Sequence, residues 1–329
     1  MLEPTEGGLA DRIALVGPTA SGKTAVGIAL AQRLGAEIIS ADSVQVYRHL
    51  DIGTAKPDGQ ERAQAVFHAL DVADPDEDWT LADFQRLGER LCPEIAARGN
   101  VPLIVGGTGL YVRALTTHLD LPAVPPDEAF RARRREFARV EGNAALLDAL
   151  ARVDPETAAR LHVNDVGRQI RALEVHASLG KTLTELHTEN RARQVGDAPR
   201  LFGLSFENRD ALYARIDARV DQMLAGGLLD EVRALLARGY SAGLKPMASL
   251  GYRQMVAFLA GECGWEAAVA AMKQETRRFA RRQMIWFRAD ARIRWVEAGD
   301  RPPADIADEI QRQIEDLPPS AADRNPRLP

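Results

Sequence analysis

With 329 residues, 46% of them hydrophobic and 27% charged, the chain has the composition of a globular protein large enough for one or two domains with full cores. No apolar run approaches the roughly 20 residues of a membrane span and no signal peptide precedes the first strand-like segment, so neither a membrane protein nor a secreted one is expected. The two cysteines, Cys92 and Cys263, lie far apart without metal-ligand spacing, which speaks against a disulfide framework or a zinc site and points to a reducing cytoplasm.

The formal net charge of −5 argues at first against a nucleic-acid partner, but the charge is unevenly spread. From Glu297 to the end the chain carries 8 acidic and 4 basic residues. Upstream, Lys273, Arg277, Arg278, Arg281, Arg282, Arg288, Arg292 and Arg294 crowd one short stretch, and Arg131, Arg133, Arg134, Arg135 and Arg139 another. Local basic surfaces, not net charge, decide whether phosphates dock. Either cluster taken alone is equally well a solvated helix face.

In chain order, a strand over Arg12–Val16 delivers Gly17-Pro18-Thr19-Ala20-Ser21-Gly22-Lys23-Thr24 into a helix over Lys23–Leu34. The spacing G-x-x-x-x-G-K-T between strand and helix is the P-loop arrangement, in which backbone N–H groups and a helix N-terminus wrap a phosphate while Lys23 adds a point charge. The site is built for a di- or triphosphate. Strands at Glu37–Ser40, Phe67–Val72 and Val101–Val105, with helices at Leu81–Arg98 and Leu110–Leu115, continue the alternation. Such alternation predicts an α/β fold, a P-loop NTPase-like parallel sheet flanked by helices, with ligands beyond the strands' carboxyl ends.

At Leu121-Pro122-Ala123-Val124-Pro125-Pro126 the pattern changes. Helical periodicity over Asp127–Glu141, Ala144–Val153, Pro155–Leu161 and Arg168–Leu179 predicts a helical insertion domain, and strand signals return only at Arg200–Phe206. Beyond Asn208 the chain reads as helix, with Val220, Met223, Leu224, Leu228, Val232, Leu235 and Leu236 tracing one apolar stripe. A last strand over Ile293–Val296 precedes a tail rich in Pro, Asp and Arg. The expected organisation is a P-loop core over 1–120, the insertion over 121–198, completion of the core over 199–298, and an acidic tail over 299–329 whose final dozen residues are disordered.

NTP-hydrolysing P-loop proteins carry an apolar strand ending in an acidic magnesium ligand. Here Val101-Pro102-Leu103-Ile104-Val105 runs instead into Gly106-Gly107-Thr108-Gly109-Leu110-Tyr111, and no N-K-x-D guanine motif appears. The carboxylate expected nearest the P-loop is Asp42, which follows the second strand. It is placed to hold a metal, to act as a base, or to cap the next helix.

These blocks carry a resemblance. GPTASGKT over Gly17–Thr24, DSVQVY over Asp42–Tyr47, DIGTAKP over Asp51–Pro57 and GGTGLY over Gly106–Tyr111 together resemble the tRNA dimethylallyltransferases, the bacterial isopentenyl-tRNA transferases. RALEV over Arg171–Val175, RIDARVDQM over Arg215–Met223, LGYRQ over Leu250–Gln254 and TRRFARRQMIWFR over Thr276–Arg288 agree, so the likeness reaches to about Val296.

The resemblance implies transfer of a dimethylallyl group from dimethylallyl diphosphate to the exocyclic amine of the adenosine 3′ of the anticodon. Diphosphate binding then falls to Gly17, Pro18, Thr19, Ala20, Ser21, Gly22, Lys23, Thr24 and Arg219, with Arg215 the second choice of arginine. Thr24 would hold Mg2+ with the diphosphate. Asp42 becomes the general base, and Thr19 its partner at the reacting centre. Matched tRNA contacts are Asp42, Ser43, Val44, Gln45, Thr108, Arg131, Gly167, Arg168, Gln169, Ile170, Arg171, Ala248, Ser249, Leu250, Gly251, Tyr252 and Arg253. The insertion would grip the anticodon stem-loop, and the basic run from Lys273 would meet RNA phosphates.

Two departures touch loop recognition. Val166-Gly167-Arg168 stands where the family commonly has Pro-Gln-Arg, and Ala248 stands where a longer side chain is frequent. Three rivals remain open: a P-loop kinase for a small metabolite, an isopentenyltransferase acting on free adenine nucleotides, and a noncatalytic RNA-binding protein. Nothing in the sequence demands more than a monomer.

Overall fold

The computed structural model describes residues 9–117, 119, 121, 122, 124–192 and 199–316. Two compact units emerge: one from residues 1–117 and 197–329, the other from 118–196. The expected disorder of the final dozen residues lies outside the described residues.

The larger unit opens with β1 (Ile13–Val16), α1 (Lys23–Leu34), β2 (Ala36–Ala41), α2 (Gly59–Gln64), β3 (Phe67–His68), α3 (Leu81–Ala97), β4 (Val101–Gly106) and α4 (Gly109–Thr116). Among its described residues the smaller unit has five helices, α5 (Glu128–Glu141), α6 (Asn143–Ala151), α7 (Pro155–Arg160), α8 (Val166–Leu179) and α9 (Leu183–Ala192). The chain then returns with β5 (Arg200–Ser205), α10 (Arg209–Ala225), α11 (Leu228–Ala237), α12 (Tyr252–Leu259), α13 (Trp265–Arg288), β6 (Arg294–Glu297) and α14 (Pro303–Glu315).

The six strands form one parallel sheet in the order β3-β2-β4-β1-β5-β6. Successive side chains of a strand point to opposite faces. Ile13 and Leu15 accordingly join Val26, Leu30, Ile306 and Ile310 on one face, under α1 and α14. Ala14 and Val16 join Phe84, Leu115, Val220, Val232 and Met272 on the other. Because both faces are covered, β1 reads as an unbroken apolar run and not as an alternation.

Three elements depart from the sequence reading. The strand expected over Phe67–Val72 pairs only at Phe67 and His68. Ala69 and Asp71 take left-handed backbone, φ 60° and 56°, which cannot continue a strand. The single stripe from Val220 to Leu236 is two helices, because Gly227, at φ 97°, turns the chain between α10 and α11. The acidic segment after β6 contains α14, whose Ile306, Ala307, Ile310 and Ile314 are buried at helical spacing.

In the smaller unit, Leu146, Leu150, Ala158, Ile170 and Leu173 pack into a core of their own. Asp154 caps α7 by accepting from the Thr157 N–H at 3.0 Å, and it also accepts from the Thr184 hydroxyl at 2.6 Å. One buried carboxylate thus ties α7 to α9.

Candidate active site

The strand order sets the site. β4 lies between β1 and β2, so the loops that follow these three strands converge at one end of the sheet. This is where a parallel sheet opens its crevice. A cavity of about 640 Å³ lies there, lined by Thr19–Thr24, Asp42, Gln45, Ile52, Thr54–Lys56, Gly106, Gly107, Arg215, Arg219, Met223, Phe279 and Gln283, among others.

The floor is the P-loop. Its course needs left-handed backbone at Ala20 and Gly22, φ 61° and 86°, which brings successive amides round toward the start of α1. A non-glycine residue at such a φ is a strained position, the kind that collects at ligand-binding loops. Lys23 folds back, its Nζ donating to the Pro18 carbonyl at 2.6 Å. Burial first, and Arg219 next, bring its ammonium down to about 7, against the pull of Asp42. Burial also lowers the pKa of Arg219, with Asp42 and Glu61 opposing. Arg219 Nε and Ser21 Oγ are buried without a hydrogen-bond partner among the described residues. Two crowded cations and two unanswered polar atoms make a site that an anion would complete.

Arg215 and Arg219 sit one turn apart on α10 but do different work. Arg215 donates from Nε to the Ala20 carbonyl and from Nη1 to Gly299, each at 3.2 Å, and lies over the Phe206 ring. It props the loop. The free Nε of Arg219 makes that residue the available ligand.

Asp42 follows β2 directly. Its Oδ1 accepts from the N–H groups of Val44 at 2.8 Å and Gln45 at 3.2 Å. That caps a turn and not the helix expected there, and it occupies one oxygen. Among the described residues Oδ2 accepts no hydrogen bond, while the side chain lines the cavity. Ser43 donates its N–H to Thr108 Oγ1 at 3.1 Å, pinning the DSVQ segment to the start of α4. Gln45 spans Ser40, Thr54 and Ala55.

The cavity therefore gathers Thr19, Ala20, Ser21, Gly22, Lys23, Thr24, Asp42, Gln45 and Arg219. Gly17 and Pro18 belong to the loop but not to the cavity lining, and Ser43, Val44 and Thr108 lie beside it. Of the 248–253 segment, Ala248 and Arg253 are exposed, Ser249 and Leu250 half-buried, and Gly251 and Tyr252 buried. Arg253 pairs with Glu275. In the smaller unit Gly167 and Arg168 are exposed and Ile170 is buried. Gln169 is buried too, its amide donating to the carbonyls of His162 and Val163. Arg131 and Arg171 share the Glu174 carboxylate at 2.6–2.9 Å.

Sequence reasoning missed Gln283. From α13 its Oε1 accepts the Thr19 N–H at 2.8 Å, and its Nε2 donates to the Gly107 carbonyl at 3.0 Å. It is the side chain that joins the P-loop to the end of β4. The available signal was register: Ala268, Met272, Thr276, Ala280, Gln283 and Phe287 are the buried positions of α13, and an amide there needs polar partners. The approach also explains two glycines of the GGTGLY block. A Cβ on Gly107 would stand 2.3 Å from Gln283 Nε2, and one on Gly109 would stand 2.0 Å from Trp286 Nε1.

A parallel sheet, a P-loop after its first strand and a half-free carboxylate after its second define a phosphate-handling α/β enzyme without an acidic residue at the tip of β4. A family model described as IPP transferase matches residues 45–290, and one described as isopentenyl transferase matches residues 11–66. The chain is 46% identical over 303 residues to the tRNA dimethylallyltransferase of Symbiobacterium thermophilum, covering 92% of this chain and 94% of that one. The enzyme of the same name from Geobacter sulfurreducens is 47% identical over 286 residues, covering 87% and 91%. Among solved structures, the full-length tRNA isopentenylpyrophosphate transferase of Bacillus halodurans superposes with a TM-score of 0.68 at 38% identity, covering 93% of this chain and 96% of the other. A eukaryotic dimethylallyltransferase acting on tRNA gives a TM-score of 0.76 at 25% identity, covering 97% and 82%. The chain belongs to the IPP transferase family.

Proposed function

We propose that this chain transfers the dimethylallyl group of dimethylallyl diphosphate to tRNA, at the exocyclic amine of the adenosine 3′ of the anticodon, with release of diphosphate. The observation that carries the reading is one cavity holding both a phosphate cradle with unanswered donors and a carboxylate with one oxygen uncommitted. The names of relatives 46–47% identical over most of their length support it. They do not favour the kinase reading.

As the allylic C–O bond breaks, negative charge grows on the diphosphate. Lys23, Arg219, the Ser21 hydroxyl and the loop amides are already gathered around its cradle, so stabilising that charge needs little reorganisation. The new C–N bond makes the adenine amine acidic, and Asp42 Oδ2 takes its proton. Oδ1 meanwhile keeps the carboxylate aimed through its bonds to Val44 and Gln45. Thr19, whose N–H is fixed by Gln283, stands at the reacting centre.

Mg2+ fits the donor set, since the Thr24 hydroxyl beside diphosphate oxygens offers the hard ligands it takes. The described residues hold no group of three or more His, Cys, Asp or Glu able to cage a metal. Bound there, the ion supplies charge neutralisation to the leaving diphosphate.

A base stacked in an anticodon loop must be extruded to reach such a cavity, at a cost of a few kcal/mol. For tRNA contact we assign Asp42–Gln45, Thr108, Arg131, Gly167–Arg171 and Ala248–Arg253, with the helical unit meeting the anticodon stem-loop. Along α13, Lys273 pairs with Asp221 and Arg277 approaches Asp217, whereas Arg278, Arg281 and Arg282 form no salt bridge among the described residues. Guanidinium groups without a carboxylate partner favour RNA phosphates, although that of Arg282 also lies over the Phe279 ring. No helix among the described residues is long and apolar enough to cross a membrane. We assign the protein to the cytoplasm, as a monomer.

The test is transfer of radiolabel from dimethylallyl diphosphate, with magnesium, to unmodified tRNA or to free AMP. Label in tRNA alone supports the reading. Label in AMP moves the chain to the free-nucleotide enzymes, and no transfer to either removes the assignment.

A further inference from the structure

Ile52, Thr54, Ala55 and Lys56 line the cavity, and one carboxylate outside the cavity holds the start of the segment they come from. Glu231, in the first turn of α11, accepts from three consecutive backbone amides. Oε2 takes the N–H of Asp51 at 3.0 Å and of Ile52 at 2.8 Å, and Oε1 takes that of Gly53 at 3.2 Å. Oε1 also accepts the Tyr252 hydroxyl at 2.6 Å. Burial, and then Glu231 itself, push the Tyr252 pKa far above its ordinary value, so the phenol stays a donor at any working pH. Three amides converging on one anion form a nest, and bonds to a charged acceptor are the strong ones.

The clamp leaves no slack. A Cβ on Gly53 would stand 2.5 Å from the Tyr252 ring and 2.8 Å from Leu228. The other side of the segment is pinned as well. Gln45 donates to the Thr54 and Ala55 carbonyls, and the buried Lys56 donates to Tyr47 and Asp51. What the clamp presents to the cavity is Ile52, which lies against the turn at Gly226 and Gly227 that follows Met223. Ile52 and Met223, with Val105 and Phe279, are the large apolar side chains of a cavity whose other lining residues are polar or small.

We propose that Glu231 is a positioning residue of the donor site: by fixing the Asp51–Gly53 backbone it holds Ile52 as an apolar contact for the hydrocarbon part of the allylic diphosphate. This rests on the transferase reading above. The diphosphate itself is gripped elsewhere, by the P-loop and Arg219, so loss of the clamp should weaken the hydrocarbon contact and spare the phosphate contact.

Glu231→Gln keeps size and shape but puts an NH2 where an oxygen accepted. Either the Asp51 and Ile52 amides or the Gly53 amide and Tyr252 hydroxyl then face another donor. We expect KM for dimethylallyl diphosphate to rise about tenfold while KM for tRNA and inhibition by inorganic diphosphate stay within twofold. Amide hydrogen exchange at 51–53 should accelerate at least tenfold, with exchange in α1 unchanged. Ile52→Ala should raise the same KM, and the double variant should fall short of the product of the two effects, as expected for coupled sites. Should Glu231→Gln fail to fold, the Ile52→Ala arm decides. Unchanged KM for the donor in Ile52→Ala, a rise confined to KM for tRNA, or unaltered exchange at 51–53 in Glu231→Gln overturns the proposal. A wild type that transfers no label fails the functional reading instead, and the exchange data still judge the clamp.

Discussion

Asp42 carries two jobs on two oxygens, and substitutions can separate them. Asn keeps an acceptor for the Val44 and Gln45 amides but has no carboxylate to take a proton, whereas Ala removes both functions. Making the acceptor neutral weakens two hydrogen bonds without orphaning a donor, which costs under about 1 kcal/mol in all. Removing it leaves two amides to solvent in a half-buried turn and costs about 1–2 kcal/mol, the scale of a lost cap. In a protein of 329 residues that is a fall of a few degrees at most, with about 2–4 °C per kcal/mol an upper guide. Loss of a general base costs about 100- to 10,000-fold in rate. Single-turnover label transfer and thermal melts on both variants should therefore give two equally slow enzymes, of which Asp42→Asn melts close to wild type and Asp42→Ala below it. A rate for Asp42→Asn within tenfold of wild type would refute the proton-transfer role. A matching loss of Tm in both variants would refute the division between the oxygens.

Lys23, held near 7 by burial and by Arg219, is largely neutral in the empty site at pH 8 and should be protonated beside a diphosphate. Calorimetry of dimethylallyl diphosphate binding in buffers of different ionisation enthalpy should show proton uptake at pH 8 that shrinks toward pH 6; equal heats in all buffers would contradict it. Because its folded pKa lies below that of a free lysine, Lys23 weakens the empty protein below about pH 7, and that penalty fades as pH rises toward 10.5. Gly106→Ala would place a Cβ 2.2 Å from the Ala41 carbonyl oxygen, backbone that cannot yield without opening the β2–β4 pairing. The variant should be recovered mostly insoluble, and a wild-type melt would show that the strands separate easily. In the helical unit, burial works against the Glu174 carboxylate, but hydrogen bonds from Arg131 and Arg171 prevail and hold it at about 2. Its stabilising contribution is complete above about 4.5 and lost as pH falls through 2, so an acid titration followed by circular dichroism should show Glu174→Gln losing less stability over that window than wild type.

Local signals determined much of this molecule. The P-loop, α1 between its glycines, the parallel alternation and the helical insertion rest on spacing and periodicity that neighbouring residues carry in the chain. The candidate base was legible because Asp42 directly follows a strand whose end must face the phosphate. Other features were decided by contacts between residues far apart. Gln283 reaches Thr19 across 264 positions, and Glu231 reaches Ile52 across 179. Neither has a motif to announce it, because a hydrogen bond made through folding leaves no fixed spacing. Arg215 and Arg219 share a helix face and a charge, and the resemblance ranks Arg219 first. That Arg215 is spent on Ala20 and Gly299 while Arg219 Nε has no partner among the described residues is decided by packing, because those partners lie far away in the chain.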